Sequence, residues 1–145
     1  MAHNGSAAFG DLVLNAPGTY RLKAVSGALA AAASGPLVVA QDVSQLVRVA
    51  GSAMIRTGPT EYRQAVAITN TSGRPLSGSL ALLVSNLGGG AVLSDASGSF
   101  LGHPYVDFLA KGQLLKAGQR VVVTLTFLSA TTPSPGYTAQ VLRGI

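Results

Sequence analysis

The chain has no cysteine and no tryptophan among its 145 residues, and only five carboxylates. Without cysteine there are no disulfides, zinc-thiolate sites or thiol nucleophiles, so the fold must be held by its core. A chain of this length can bury one without covalent staples. The missing cysteines do not settle the compartment, because disulfide-free domains also occur outside the cell. Asp11, Asp42, Glu61, Asp95 and Asp107 are the whole acid supply, and His3 and His103 are the two histidines. Asp107 follows His103 by four positions, but Pro104 intervenes and an extended segment keeps the two groups apart, so they make no acid/base dyad. No Gly-x-Ser-x-Gly elbow occurs. Gly88-Gly-Gly90 lacks the lysine and the following helix of a phosphate loop and reads as a hairpin tip. No catalytic chemistry is indicated, and the chain is expected not to be an enzyme and to need no cofactor.

Long apolar runs are also missing. No stretch of 18 apolar residues is present, which excludes a transmembrane helix. The opening Met1-Ala-His-Asn-Gly-Ser6 has neither the basic start nor the apolar centre of a signal peptide. The protein either stays inside the cell or is a piece of a longer exported chain.

What is present is glycine, proline and small polar residues: 18 glycines and seven prolines with only 10% charged residues. That composition makes short strands and many turns, and the expected class is all-β. The net charge is +5, yet the cations (Arg21, Lys23, Arg48, Arg56, Arg63, Arg74, Lys111, Lys116, Arg120, Arg143) are scattered singly without interleaved aromatics. Tracking a phosphate backbone needs several cations on one surface. Solvated faces are expected, and no nucleic-acid partner.

Alternation of apolar and polar residues marks the strands. Residues 1–8 read as a disordered leader or cloning remnant. Leu12-Val-Leu14, the turn Asn15-Ala-Pro-Gly18 and Thr19 to Val25 read as a hairpin, with Tyr20, Leu22 and Ala24 on one face and Arg21 and Lys23 on the other. Ala28 to Ala33 is bracketed by Gly27 and Gly35-Pro36, which favours a turn and an irregular strand over a helix. Leu37 to Ala40 reads as a third strand. Residues 41–45 are a linker, and a complete set of strands occupies 46–145. Leu46 to Ala50 and Ala53 to Arg56 form an edge segment broken at Gly51. Arg63 to Thr69 and Leu80 to Val84 read as a strand pair joined by the loop Asn70 to Pro75, each half-buried. Ala91 to Leu93, Tyr105 to Leu109, Gln119 to Leu128 and Tyr137 to Arg143 follow, the last after a proline-rich turn at 132–136. In Gln119 to Leu128, Val121, Val123, Leu125 and Phe127 face inward. About seven strands at spacings near ten residues is the pattern of a β-sandwich.

Two resemblances add to this reading. Ala8-Phe-Gly-Asp-Leu-Val-Leu14, Gly18-Thr-Tyr-Arg-Leu-Lys-Ala-Val-Ser-Gly27 and Ala32-Ala-Ser-Gly-Pro-Leu-Val-Val39 resemble the last three strands of the immunoglobulin-like repeats of bacterial surface proteins. The first half of such a repeat is absent, so residues 9–40 look like half a domain. The stretch from 44 to 145 resembles a C-terminal β-sandwich module of exported bacterial proteins, similar to immunoglobulin or fibronectin type III domains. The residues that carry this likeness are Tyr62-Arg-Gln-Ala-Val-Ala-Ile-Thr-Asn-Thr-Ser-Gly73, Asp95-Ala-Ser-Gly98, Gly102-His-Pro-Tyr105, Leu115-Lys-Ala-Gly-Gln-Arg-Val-Val-Val-Thr-Leu-Thr-Phe127 and Tyr137-Thr-Ala-Gln-Val141. The likeness implies an immunoglobulin-like β-sandwich preceded by an incomplete, three-stranded segment. It also implies an extracellular or cell-surface location and no activity of its own.

Two functional expectations follow, from different classes. Half a domain must have its apolar face covered by the sandwich, by neighbouring domains of the same chain or by another molecule. Leu12, Leu14, Tyr20, Leu22, Leu37 and Val39 are the residues for strand exchange into a homo-oligomer or filament. The alternative is a carbohydrate-binding accessory domain of a secreted enzyme, in which Tyr62 with Arg63, or Tyr105 with His103, present rings and donors to a glycan. Asp95 and Asp107 are too few for a calcium site and read as turn residues. Asn4-Gly-Ser6 and Asn70-Thr-Ser72 match the glycosylation acceptor pattern.

Overall fold

A computed structural model of the chain describes residues 2–3, 6–130 and 134–145. Ala2–His3 (β1) pairs with Ser6–Ala7 (β2), so the leader has local structure where it is described. Four short strands follow: β3 (Gly18–Tyr20), β4 (Lys23–Ala24), β5 (Ala32–Ala33) and β6 (Leu37–Val39). The remaining strands build the C-terminal module. They are β7 (Gln41–Asp42), β8 (Val47–Gly51), β9 (Ile55–Arg56), β10 (Glu61–Asn70), β11 (Leu76–Ser77), β12 (Leu80–Ser85), β13 (Val92–Leu93), β14 (Gly98–Phe100), β15 (His103–Leu109), β16 (Leu114–Leu115), β17 (Arg120–Leu128) and β18 (Thr138–Arg143). The only helix among the described residues is one 3-10 turn at Ser44–Leu46, and none is long and apolar enough to cross a membrane.

The module is an all-β, immunoglobulin-like sandwich of two antiparallel sheets. One has the order β13-β17-β10-β8, with β9 also on β10; the other has the order β14-β15-β12-β18-β7. A small clip, β11 with β16, closes one margin. Alternation along each strand aims one row inward. Val66 and Ile68 of β10 and Leu125 and Phe127 of β17 meet Leu80, Leu82 and Val84 of β12 and Val141 of β18, all essentially inaccessible to water. The Phe127 and Tyr137 rings pack with centroids 5.2 Å apart. Each such side chain contributes about 1.5–3 kcal/mol by leaving water, and their contiguity makes a single core.

Two features depart from the expectation. Residues 63–69 and 80–84 are not a strand pair: β10 bonds to β17 and β8, whereas β12 bonds to β15 and β18. Both strands carry an apolar row, and placing them in opposite sheets lets those rows face each other. Neither is β12 half-buried, since Ala81 and Leu83 on its outer side are buried too. It lies mid-sheet, where Tyr105 and Gln140 flank Leu83 and where Asp107 and Leu142 flank the small Ala81.

The crossing from β10 to β12 is fixed by Asn70, which is buried. Its side-chain amide donates to the carbonyls of Arg74 (2.7 Å) and Leu115 (2.8 Å), and its oxygen accepts from the Ser72 amide (3.0 Å) and hydroxyl (2.7 Å). Its own backbone is tied to Gln119 and Gly118. One side chain thus satisfies the polar backbone of a turn and joins the sheet of β10 to β16.

At the β14–β15 hairpin, Leu101 (φ 50) and Gly102 (φ 81) both take left-handed conformations between the paired Phe100 and His103. Glycine suits such a turn, but a leucine that is 83% exposed gains nothing there. Replacing Leu101 with Asn is expected to raise the unfolding free energy by about 0.5–1 kcal/mol in a urea melt. Replacing Asn70 with Ala is expected to lower it by about 2–4 kcal/mol, because two carbonyls and a serine lose their partner in a dry site. A loss within error would show that water replaces the amide.

Candidate functional site

The four ligand residues expected from sequence divide between the sheets. Tyr62 and Arg63 stand on β10, in one sheet; His103 and Tyr105 stand on β15, in the other. The Tyr62 ring belongs to the core, with Arg56 over it at 5.9 Å, so it offers no face to a pyranose. Arg63 reaches Glu61 at 2.9 Å. Glu61 also accepts from the Thr57 hydroxyl at 2.7 Å, and that bond, followed by the Arg63 charge, holds its carboxyl below the usual glutamate range. Tyr105 lies over Gly98, where a Cβ would meet its hydroxyl at 2.6 Å, so the ring fills the place of a missing side chain across the ladder. His103 is exposed at the hairpin end.

The other polar residues singled out by sequence are structural. Asp95 accepts from the Thr126 amide (3.0 Å), tying its loop to β17. Asp107 is pushed up by partial burial. Among the described residues no three carboxylate or imidazole side chains come together. Asn70 spends both amide hydrogens inside the fold, so its acceptor motif is closed to glycosylation in the native state. Asn4 lies outside the described residues, as does part of the proline-rich turn at 132–136.

Residues 41–45 are not a linker, since β7 pairs with β18 and Val43 is in the core, and the segment before them carries seven of the fourteen large apolar side chains exposed among the described residues. It is a two-stranded ribbon rather than three strands: β3 pairs with β6 and β4 with β5, while Leu12 to Leu14 have no ladder. Residues 12–14 run into the turn that Tyr20 closes by donating to Ala16 O at 2.8 Å, and the hairpin partner of 18–24 is 32–39. Ser34 stitches the gap between the two ladders: its Oγ accepts from the Leu22 amide and its own amide donates to the Leu22 carbonyl.

Register places Tyr20 opposite Leu37 and Gly18 opposite Val39, with Leu22 next along the same face. Leu12 lies beside Leu22, lining with Phe9, Asp11, Lys23, Ala24 and Val25 an open, mostly apolar cleft of about 500 Å³. Leu14 is half-buried. The six residues expected for strand exchange are therefore neighbours on one short arm. Sequence reasoning missed Phe9 (77% exposed), Val25, Leu29 (73%) and Val38, which the arm also presents. Alternation on a lone hairpin does not say which face has a partner.

The arm has no share in the core, whose cluster begins at Val43. The chain exposes 9157 Å², roughly 2,200 Å² more than the ~6,900 Å² expected of a compact monomer of its mass. A standard interface takes about 800 Å² from each partner. The fold and this surface define a class: an immunoglobulin-like β-sandwich bearing an apolar, two-stranded arm. No model of a known protein family matches the chain, and no curated protein matches it.

Replacing Thr57 with Val should move the Glu61 titration, read by carboxyl-carbon NMR, up toward the usual range. A depressed carboxyl pKa contributes stability above its unfolded value and loses it as pH falls through the folded one. The variant should therefore differ from the parent chiefly near neutral pH and converge with it in acid. An unmoved titration would remove the hydroxyl as the cause.

Proposed function

We propose that the chain is a non-enzymatic structural or adhesive module of an exported or surface-attached bacterial protein. In this reading it self-associates through the N-terminal arm into an oligomer or filament. The observation that carries the reading is the arm's apolar surface: Leu12 and Leu37 are exposed, and the cleft beside Leu12 and Leu22 is lined by arm residues alone. Exposed strand edges and apolar faces of this size are sites of strand addition. The occupant of choice is a second copy, because it presents the same uncovered arm, and one chain's excess surface is more than the ~800 Å² that a standard interface takes from each partner.

Exchange of arms in a two-fold arrangement closes a dimer; a head-to-tail arrangement leaves a free arm at one end and a free acceptor at the other and grows a filament. The resemblance of residues 8–39 to the end of an immunoglobulin-like repeat supports the same role, since such repeats serve as spacers. The surface or extracellular location rests on that resemblance.

Size-exclusion chromatography with light scattering across a concentration series tests the proposal. The expected result is a mass above 14.6 kDa that rises with concentration. A Leu22→Glu, Leu37→Glu double variant should revert to one chain per particle while keeping the sandwich's unfolding transition. A monodisperse monomer of the parent chain at the highest concentration overturns self-association.

A further inference from the structure

The base of the arm meets the sandwich at a cleft that arm exchange does not use. Pro17 and Gly18 lie against Gly144, just past β18, where a Cβ would come within 2.7 Å of the Pro17 ring and 2.9 Å of the Gly18 nitrogen. Beside this contact opens a cleft of about 640 Å³, walled by Thr19 of the arm and by Ser77, Ser79, Lys111 and Arg143 of the sandwich. That volume lies within the ~300–1,000 Å³ range of small-molecule sites, which favour junctions between parts of a fold.

Its chemistry is one-sided. Two cations and three hydroxyls line it, and no side-chain carboxylate does. Arg143 is only partly engaged: one terminal nitrogen donates to Gln41 Oε1 at a long 3.5 Å. Its Nε–H, on a side chain packed over Gly78, is shielded from water and has no acceptor. A shielded guanidinium donor left unpaired is costly, and a turn of the Arg143 side chain that brings it to an incoming acceptor would recover that cost. Lys111 stands in the turn after β15. Asp107 lies nearby on β15, but among the described residues it makes no ion pair with Lys111. Ile145 also borders the cleft.

We propose that this cleft binds a small oxyanion, a phosphate or carboxylate group. Arg143 and Lys111 supply charge, and the hydroxyls of Ser77, Ser79 and Thr19 orient it. Guanidinium favours such groups because its planar donors meet two oxygens at once. Because the walls come from the arm and the sandwich, a bound anion braces the base of the arm. The site stands whether or not two copies exchange arms.

The test is a nitrogen-15 NMR titration of the full chain with sodium phosphate and, separately, sodium acetate, at an ionic strength held constant with sodium chloride. Saturable shifts are expected at Thr19, Ser79, Lys111 and Gly144 amides and at the Arg143 Nε–H, at roughly millimolar anion. The anion that binds more tightly names the group. Arg143→Gln should weaken binding about tenfold or more. Lys111→Gln, on an exposed turn that leaves the fold intact, should weaken it severalfold. No saturable shift with either anion, the same shifts with chloride alone, or unchanged affinity in both variants overturns the proposal.

Discussion

The sandwich depends on one constraint: the space between its sheets is dry, so every polar group at its margin must find a protein partner. Phe127, Leu125, Ile68, Leu80, Leu82 and Val141 supply the apolar interior. Asn70 is what allows the chain to cross the margin of that interior from one sheet to the other, since four hydrogen bonds from one side chain replace those a ladder would make. The break after β8 is handled in the same way. Ser52 and Gln64 bond across the gap at Gly51, where the Gln64 amide nitrogen donates to Ser52 O at 2.6 Å, so the edge strand resumes as β9 on the same neighbour. At the margins of this core, side-chain hydrogen bonds decide where strands stop and apolar contact decides which way they face.

The arm obeys the opposite condition. Its ladders are two and three residues long and its apolar side chains have water where the sandwich has a second sheet. A single hairpin is marginal by itself in water. Tyr20 and Ser34, by bonding to the backbone, hold its shape without a core. Surface that is shaped but uncovered is what the proposed assembly rests on. The cleft at the arm's base draws on both parts, because the arm leaves β7 at the edge of a sheet and returns against the end of β18.

Most of the strands were legible because alternation is a local property. Gln119 to Leu128 was read with the right row inward, and β17 buries Val123, Leu125 and Phe127 while Val122 stays exposed. Pairing was less legible. Residues 63–69 and 80–84 look like a hairpin from their spacing, and nothing local distinguishes a short connection within a sheet from one between sheets. Leu12 to Leu14 is a short apolar run of the kind strands use but has no ladder, because residues 32–39 pair with 18–24 and residues 12–14 lead into the turn at Ala16. The candidate ligand residues were visible as types; that Tyr62 faces the core and Tyr105 covers a glycine depends on cross-strand neighbours far away in sequence.

By itself the sequence determined the all-β class, the positions of the turns and the inward row of the long strands, because glycine, proline and two-residue periodicity act over a few residues. It also determined that neither cysteine chemistry nor a membrane-crossing helix is open to these 145 residues. The tertiary structure alone decided which strands share a sheet, that Asn70 is sealed inside rather than offered on a loop, and that the arm's apolar face lies outside the core. It also placed Arg143 and Lys111 at one cleft. Those outcomes are set by contacts between residues tens of positions apart, and such contacts exist only once the two sheets close on each other.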